Sequence, residues 1–115
     1  METTDWHAIA RLYESLIEVT GSPIVRLNHA VAVGMASGPL AGLELVDALT
    51  AEGALASYHY APSVRGDLLE KLGRLAEARA EFERASAMAT NARERELLHA
   101  RALAVGGQDT RIDGL

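Results

Sequence analysis

The segment between positions 66 and 85 constrains the fold of this chain more than any other. Gly66 and Ala85 place small residues where two helices can touch, and small residues let helix axes come close. Gly73 lies between them and can end a helix in the left-handed conformation that glycine adopts without strain. Ala78 and Phe82 are four residues apart and therefore share one face of the second helix. The segment predicts a tightly packed helical hairpin.

These five residues stand at the positions where tetratricopeptide repeats place small residues, a helix stop and a phenylalanine. The pattern is incomplete, since Leu69 stands where it has tyrosine and Thr90 where it has proline. A shift of 36 residues aligns an earlier stretch with this hairpin, placing Ala30 under Gly66, Gly42 under Ala78, Val46 under Phe82 and Leu49 under Ala85. We therefore predict a degenerate repeat within an all-α, tetratricopeptide-like, right-handed solenoid fragment.

Apolar periodicity and helix-stop residues predict six helices in three antiparallel pairs. Their expected ranges are about 5–19, 23–37, 39–52, 61 or 62 to 72, 75–89 and 92–104. Pro62 argues for a late start of the fourth helix, with residues 58–60 forming a turn before it. We expect one helical domain over residues 1–105 and a flexible tail over 106–115. The tail shows no apolar periodicity and has too few apolar residues to pack as an ordered element.

The net charge of −5 and the sequence pI near 5.3 argue against direct nucleic-acid binding, which needs clustered basic residues to neutralise phosphates. The chain has no cysteine, so neither a disulfide framework nor a thiolate metal site is expected. No apolar run approaches the length of a membrane span, and the acidic N-terminus lacks the features of an export signal. We expect a cytoplasmic protein that does not bind membranes.

No residue pattern in the chain points to catalysis, to a cofactor or to a metal. The four histidines lie far apart in the sequence, and no spacing among them would place two ligands on one helix face. No serine lies in a Gly-x-Ser-x-Gly turn, and no glycine-rich loop resembles a phosphate cradle. The mixed charges of the central hairpin are expected to form a solvated surface: Glu70, Lys71, Arg74, Glu77, Arg79, Glu81, Glu83 and Arg84. We therefore expect a non-enzymatic protein.

Two groups of residues are candidates for protein interaction on the concave side of the repeat, which the first helix of each hairpin lines. They are Asn28 and His29 on helix two, and Tyr58, Arg65 and Asp67 at helix four. Aromatic residues and arginine often anchor interfaces. The alternatives stay open: Asn28 could form a hydrogen bond between helices, Tyr58 could pack between hairpins, and Arg65 could pair locally with Asp67 or a helix end.

Helix one carries more apolar surface than its neighbour needs. Trp6, Tyr13 and Ile17 suggest that this helix either pairs with a second copy, giving a homodimer, or meets protein that precedes it in a longer chain.

The chain also resembles a known family over about residues 5–103. The resemblance is to the C-terminal helical extension of bacterial extracytoplasmic-function (ECF) RNA polymerase sigma factors that carry a tetratricopeptide-like domain behind their core regions. It is carried by Asp5-Trp6, Ile9, Leu12-Tyr13, Ser22-Pro23-Ile24-Val25, Leu27-Asn28-His29-Ala30-Val31-Ala32-Val33, Gly38-Pro39, Gly42-Leu43, Tyr58-His59, Arg65-Gly66-Asp67-Leu68-Leu69, Leu72-Gly73-Arg74, Glu77-Ala78, Ala85, Asn91, Glu94 and Leu98. His29 departs from the arginine of that family, and Pro62 interrupts a stretch that the family continues as helix.

The resemblance implies a regulatory, protein-interaction role in transcription initiation. The partners it implies are the core regions of the sigma factor, in cis, and RNA polymerase. A second hypothesis is a free-standing tetratricopeptide adaptor that binds a peptide of an unrelated partner. A third, a small-molecule hydrolase or binding enzyme, has no residue in its support.

Overall fold

The computed structural model describes residues 4–56, 58 and 60–113, with side chains as far as residue 105. Over these residues the chain forms six α-helices and no strand. The helices are α1 (Trp6–Thr20), α2 (Pro23–Ser37), α3 (Pro39–Glu52), α4 (Tyr60–Lys71), α5 (Leu75–Met88) and α6 (Ala92–Asp113). The predicted all-α, helical-repeat fold is confirmed.

Local capping explains where the first helices begin and end. The Asp5 side chain accepts a hydrogen bond from the Ala8 backbone N–H at the start of α1. Ser22 caps α2 in the same way. Helices α2 and α3 each begin with a proline, which is favourable because the backbone N–H at this position would have no partner within the helix and proline lacks it. Gly21 and Gly53 end α1 and α3 in the left-handed conformation.

Two helix boundaries differ from the prediction. Helix α4 begins at Tyr60 rather than at 61 or 62, because Pro62 falls in the first turn, where a backbone N–H has no partner within the helix. Helix α6 does not end near Ala104 but continues to Asp113, since extending a formed helix needs only one new hydrogen bond per residue. The flexibility predicted for residues 106–115 stays a prediction, as does the single domain over 1–105.

The helices form two compact units, residues 1–56 and residues 57–115. In the first unit α2 packs against both α1 and α3, and in the second α5 packs against both α4 and α6. Helices that follow one another through short turns and pack side by side run antiparallel. Each unit is therefore a helical hairpin with one further helix.

The first unit is packed around α2 and α3, where two helix backbones come into direct contact. The buried apolar side chains of this unit are Ala10, Leu27, Ala30, Ala32, Leu43, Val46 and Leu49. A Cβ atom on Gly42 would lie 2.8 Å from the Ala30 carbonyl oxygen and 3.0 Å from the Gly34 Cα. Only glycine fits this crossing without moving a backbone.

The second unit is packed around Phe82, whose ring is fully buried. A Cβ atom on Gly66 would lie 3.0 Å from the Phe82 Cε1, so the missing side chain of α4 makes room for the ring on α5. Ala78 and Ala85 are also fully buried, and Gly73 has a φ of 79° in the turn between the two helices. The residues of the predicted hairpin thus lie at its seam and its turn.

Candidate interaction surfaces

In the first unit, the two candidate residues on α2 have different surroundings. Asn28 is exposed, so it forms no buried hydrogen bond between helices. The His29 side chain is only 15% exposed, and its Nε2 lies 3.6 Å from the Glu14 Oε1 on α1. That distance is too long for a direct hydrogen bond. Of the two, Asn28 is the one whose side chain a partner could reach.

The second unit gathers two tyrosines at the start of α4. The rings of Tyr58 and Tyr60 meet edge to face with their centroids 5.3 Å apart. The Tyr60 hydroxyl donates a 2.7 Å hydrogen bond to the Glu94 carboxylate on α6, and this bond raises the pKa of Tyr60. Beside it lies an apolar cavity of about 170 Å³, lined by Tyr60, Ser63, Glu94, Leu97 and Leu98. The start of α4 and the start of α6 therefore form one shallow surface, which we call the α4–α6 groove.

Arg65 is held within the hairpin by a carboxylate that the sequence pattern did not distinguish from its neighbours. Arg65 Nη1 donates to Glu81 Oε1 at 3.1 Å, and Arg84 Nη1 donates to the same oxygen at 2.8 Å. Glu81 is buried, with 5% of its surface exposed, so its predicted place on a solvated face is wrong. Glu81 is buried because it lies on the side of α5 that faces α4. Its charge is compensated there by Arg65 and Arg84.

Asp67 joins a second charged cluster between α4 and α6. Its carboxylate lies 3.0 Å from the Lys71 ammonium and accepts a 3.3 Å hydrogen bond from Arg101, which also donates to Glu70 at 2.8 Å. The Arg101 guanidinium lies 4.4 Å from the centroid of the Phe82 ring, within the range of a cation–π contact. Asp67 therefore takes part in the side-chain contacts that connect α4 with α6.

The candidate residues fall into two sets. Asn28 and His29 belong to the first unit, whereas Tyr58, Arg65 and Asp67 belong to the second. The structure brings Tyr58 next to Tyr60. It connects Tyr60 to Glu94, Arg65 to Glu81 and Asp67 to Arg101, and sequence analysis selected none of these three partners as an interaction candidate.

The sequence separation of the pairs is a signal that could have identified Glu94 and Arg101. Tyr60 pairs with Glu94 and Asp67 with Arg101, and each pair is separated by 34 residues, the period of tetratricopeptide repeats. Helix α6 therefore packs where the first helix of a following repeat would lie.

The apolar surface of α1 differs in detail from the prediction. Trp6, Tyr13 and Ile17 are half-buried against the rest of the first unit. The exposed apolar side chains of α1 are instead Leu12, Leu16 and Val19.

Among the residues that the structure describes, no group of three or more histidine, aspartate or glutamate side chains could hold a metal ion. Over the same residues, no helix combines the length and the apolar character that crossing a bilayer requires.

Comparison with known proteins gives a relative of unknown role. An uncharacterized protein of Rhizobium meliloti (strain 1021) is 48% identical over 93 residues, which cover 81% of this chain and 22% of that protein. The chain thus matches about a fifth of the length of this relative. No family model and no solved structure matches the chain.

Proposed function

We propose that this chain is a regulatory, protein-interaction domain that acts in transcription initiation, as the C-terminal extension of an ECF sigma factor does. In this role it binds the core regions of the sigma factor in cis and modulates their action or their contact with RNA polymerase. It makes no direct contact with DNA and needs no cofactor, and it acts in the cytoplasm.

The observation that carries the proposal is the size of the relative. In that protein the matched segment is a 93-residue part that makes up 22% of the chain. A helical domain attached to a much longer protein is the arrangement that the resemblance to sigma-factor extensions implies.

The second unit adds a surface suited to such a role. The α4–α6 groove combines an apolar cavity with tyrosine rings at its rim. Tyr60 and Leu97 are 43% and 58% exposed, so a partner can reach apolar area that is already fixed in place by α4 and α6. Fixed aromatic and aliphatic side chains lose little entropy on binding, which favours their use as anchors.

The test is a binding and transcription experiment with purified components. Circular dichroism first verifies that the purified chain is folded. The chain is then mixed with sigma core regions encoded in the same or the adjacent reading frame and with RNA polymerase core enzyme. We expect the chain to bind the sigma core and to change the yield of run-off transcript. No binding to the sigma core and no change in transcript by the folded chain would refute the proposal and favour a free-standing adaptor.

Two variants then locate the surface. Leu97→Ser removes exposed apolar area from the α4–α6 groove and is expected to weaken binding to the sigma core. Arg79→Ala is the matched control, because Arg79 is an exposed residue of α5 that pairs with Glu83, 3.0 Å away, outside the groove. Equal effects of both variants would show that the groove is not the contact.

A further inference from the structure

The first unit has an apolar surface that its own helices leave open. Leu12, Leu16 and Val19 are 66%, 45% and 83% exposed. Their spacing of four and three residues places them on one face of α1. Ala10 is the buried residue of α1, with 8% of its surface exposed, so α2 covers only one side of the apolar half of α1.

A second ridge continues this surface on α2. Ile24 and Met35 are 46% and 47% exposed, and they share one face of α2 with Asn28. The contact between Glu14 and His29 lies along one edge of the seam between α1 and α2. Because successive residues of an α-helix are rotated by about 100°, the exposed apolar residues of both helices lie along the opposite edge of this seam.

We call this surface the hairpin face, and it consists of Leu12, Leu16, Val19, Ile24 and Met35. At the end near Met35 lies a cavity of about 440 Å³ with a mixed polar and apolar lining: Thr4, Asp5, Trp6, His7, Met35 and Ala36. The hairpin face thus consists of two apolar ridges that are exposed to solvent.

The charge of the chain is divided very unevenly between the two units. Residues 1–56 contain seven carboxylates and two arginines, whereas residues 57–115 contain nine acidic and nine basic residues. The whole net charge of −5 therefore belongs to the unit that carries the hairpin face. Of its two arginines, Arg26 is neutralised by Glu52 through two hydrogen bonds of 2.8 and 2.7 Å.

We propose that the hairpin face binds a basic amphipathic helix of a protein partner. Apolar side chains at four- and three-residue spacing fit the ridges of another helix, which lays its own apolar stripe against them. The net charge of the first unit attracts a partner whose polar positions are lysine and arginine, and speeds its association. The same charge opposes pairing with a second copy of the chain, because two such units repel each other.

This inference goes beyond the proposed sigma-factor role, since it depends only on the apolar ridges and the charge of the first unit. It also stands apart from the α4–α6 groove, so failure of either proposal leaves the other unchanged.

The test uses synthetic peptides as probes and Trp6, the chain's single tryptophan, as the reporter. Three tryptophan-free peptides of about 20 residues, long enough to form a helix, are compared. One has a leucine stripe with lysine and arginine elsewhere, one has the same stripe with glutamate elsewhere, and one is the basic peptide with its order scrambled. We expect the basic amphipathic peptide to change Trp6 emission saturably and to bind at least about tenfold more tightly than the other two.

Variants and salt complete the experiment. Leu12→Ser combined with Leu16→Ser is expected to weaken binding of the basic peptide about tenfold or more, because two apolar anchors are lost. The matched control combines Leu40→Ser with Leu103→Ser, since these leucines are 56% and 58% exposed and lie outside both the hairpin face and the α4–α6 groove, and it should bind as the unaltered chain does. Raising the salt concentration from about 0.05 to 0.5 M should weaken binding by screening the charges.

Three results would overturn the proposal. The acidic or the scrambled peptide could bind as tightly as the basic amphipathic one. The control pair could reduce binding as much as the variant of the hairpin face. Light scattering could show a dimer of the unaltered chain that the Leu12 and Leu16 substitutions abolish, which would identify a second copy as the occupant.

Discussion

Replacing Gly42 by alanine tests the backbone contact between α2 and α3. The new Cβ atom would lie 2.8 Å from the Ala30 carbonyl oxygen and 3.0 Å from the Gly34 Cα, both of them backbone atoms of α2. Carbon atoms in good contact are about 3.5–4.0 Å apart, so the two helices would have to separate locally. Overpacking of this kind costs about 1–3 kcal/mol, and the better helix propensity of alanine offsets up to about 1 kcal/mol.

We therefore expect Gly42→Ala to lower the free energy of unfolding of the first unit by about 1–2 kcal/mol. A unit of this size has a total stability of only a few kcal/mol, on the order of 0.1 kcal/mol per residue, so the loss is easily measured. The assay is urea unfolding followed by the fluorescence of Trp6, which lies in the first unit.

Two other variants calibrate this result. Gly66→Ala places a Cβ atom 3.0 Å from the Phe82 Cε1, a side-chain atom that can shift by a few tenths of an ångström. Its cost and its gain in helix propensity should nearly cancel, to within about 1 kcal/mol. Ala48→Gly on the exposed side of α3 should cost about 1 kcal/mol through propensity alone. If Gly42→Ala proves neutral or stabilising, the inferred backbone contact between α2 and α3 does not exist.

Three further predictions concern the second unit and the charged groups. Phe82→Ala should cost about 3–5 kcal/mol in thermal or urea unfolding followed by circular dichroism, because the ring is fully buried; a loss below 1 kcal/mol would contradict that burial. Arg65→Ala should cost about 1–3 kcal/mol, since it removes one of two partners of the buried Glu81 carboxylate, whereas Arg79→Ala at an exposed pair should cost less than about 0.5 kcal/mol. The hydrogen bond from Arg26 lowers the pKa of Glu52, so the stability that this pair contributes is present above the ordinary carboxyl pKa and is lost as the pH falls through the lowered one. Arg26→Gln should raise the Glu52 pKa in an NMR titration toward its ordinary value, and an unchanged pKa would show that the pair does not form in solution.

The helices could be predicted from sequence because their signals are local. Pro23 and Pro39 at first helical positions, Asp5 and Ser22 as caps, and glycines at the helix ends act within one turn of the chain. The end of α6 was missed because residues 106–113 show neither apolar periodicity nor many apolar residues, whereas an established helix can extend through unfavourable residues.

The interaction surfaces were predictable only in part. Tyr58 and Asp67 stood out by residue type, but Glu94 and Arg101 acquire their partners only because side chains of α6 reach α4 at the repeat distance. Leu12, Leu16 and Val19 fit the apolar stripe of α1 as well as Trp6 and Tyr13 do, and the stripe alone does not say which side α2 covers. Exposure is set by the position of the neighbouring helix.

Glu81 shows most clearly what only the tertiary structure decided. In the sequence it is one of several acidic residues on a mixed-charge helix, alongside Glu77 and Glu83, and nothing local distinguishes the three. In the structure it alone of the three is buried, because α4 lies over that side of α5 and supplies Arg65. The sequence by itself determined the helices and the hairpin seam at Gly66 and Phe82, since periodicity and side-chain size act over a few residues. Burial, pairing and open apolar surface were decided by helix packing, because they depend on which side chains a separate helix brings within a few ångströms.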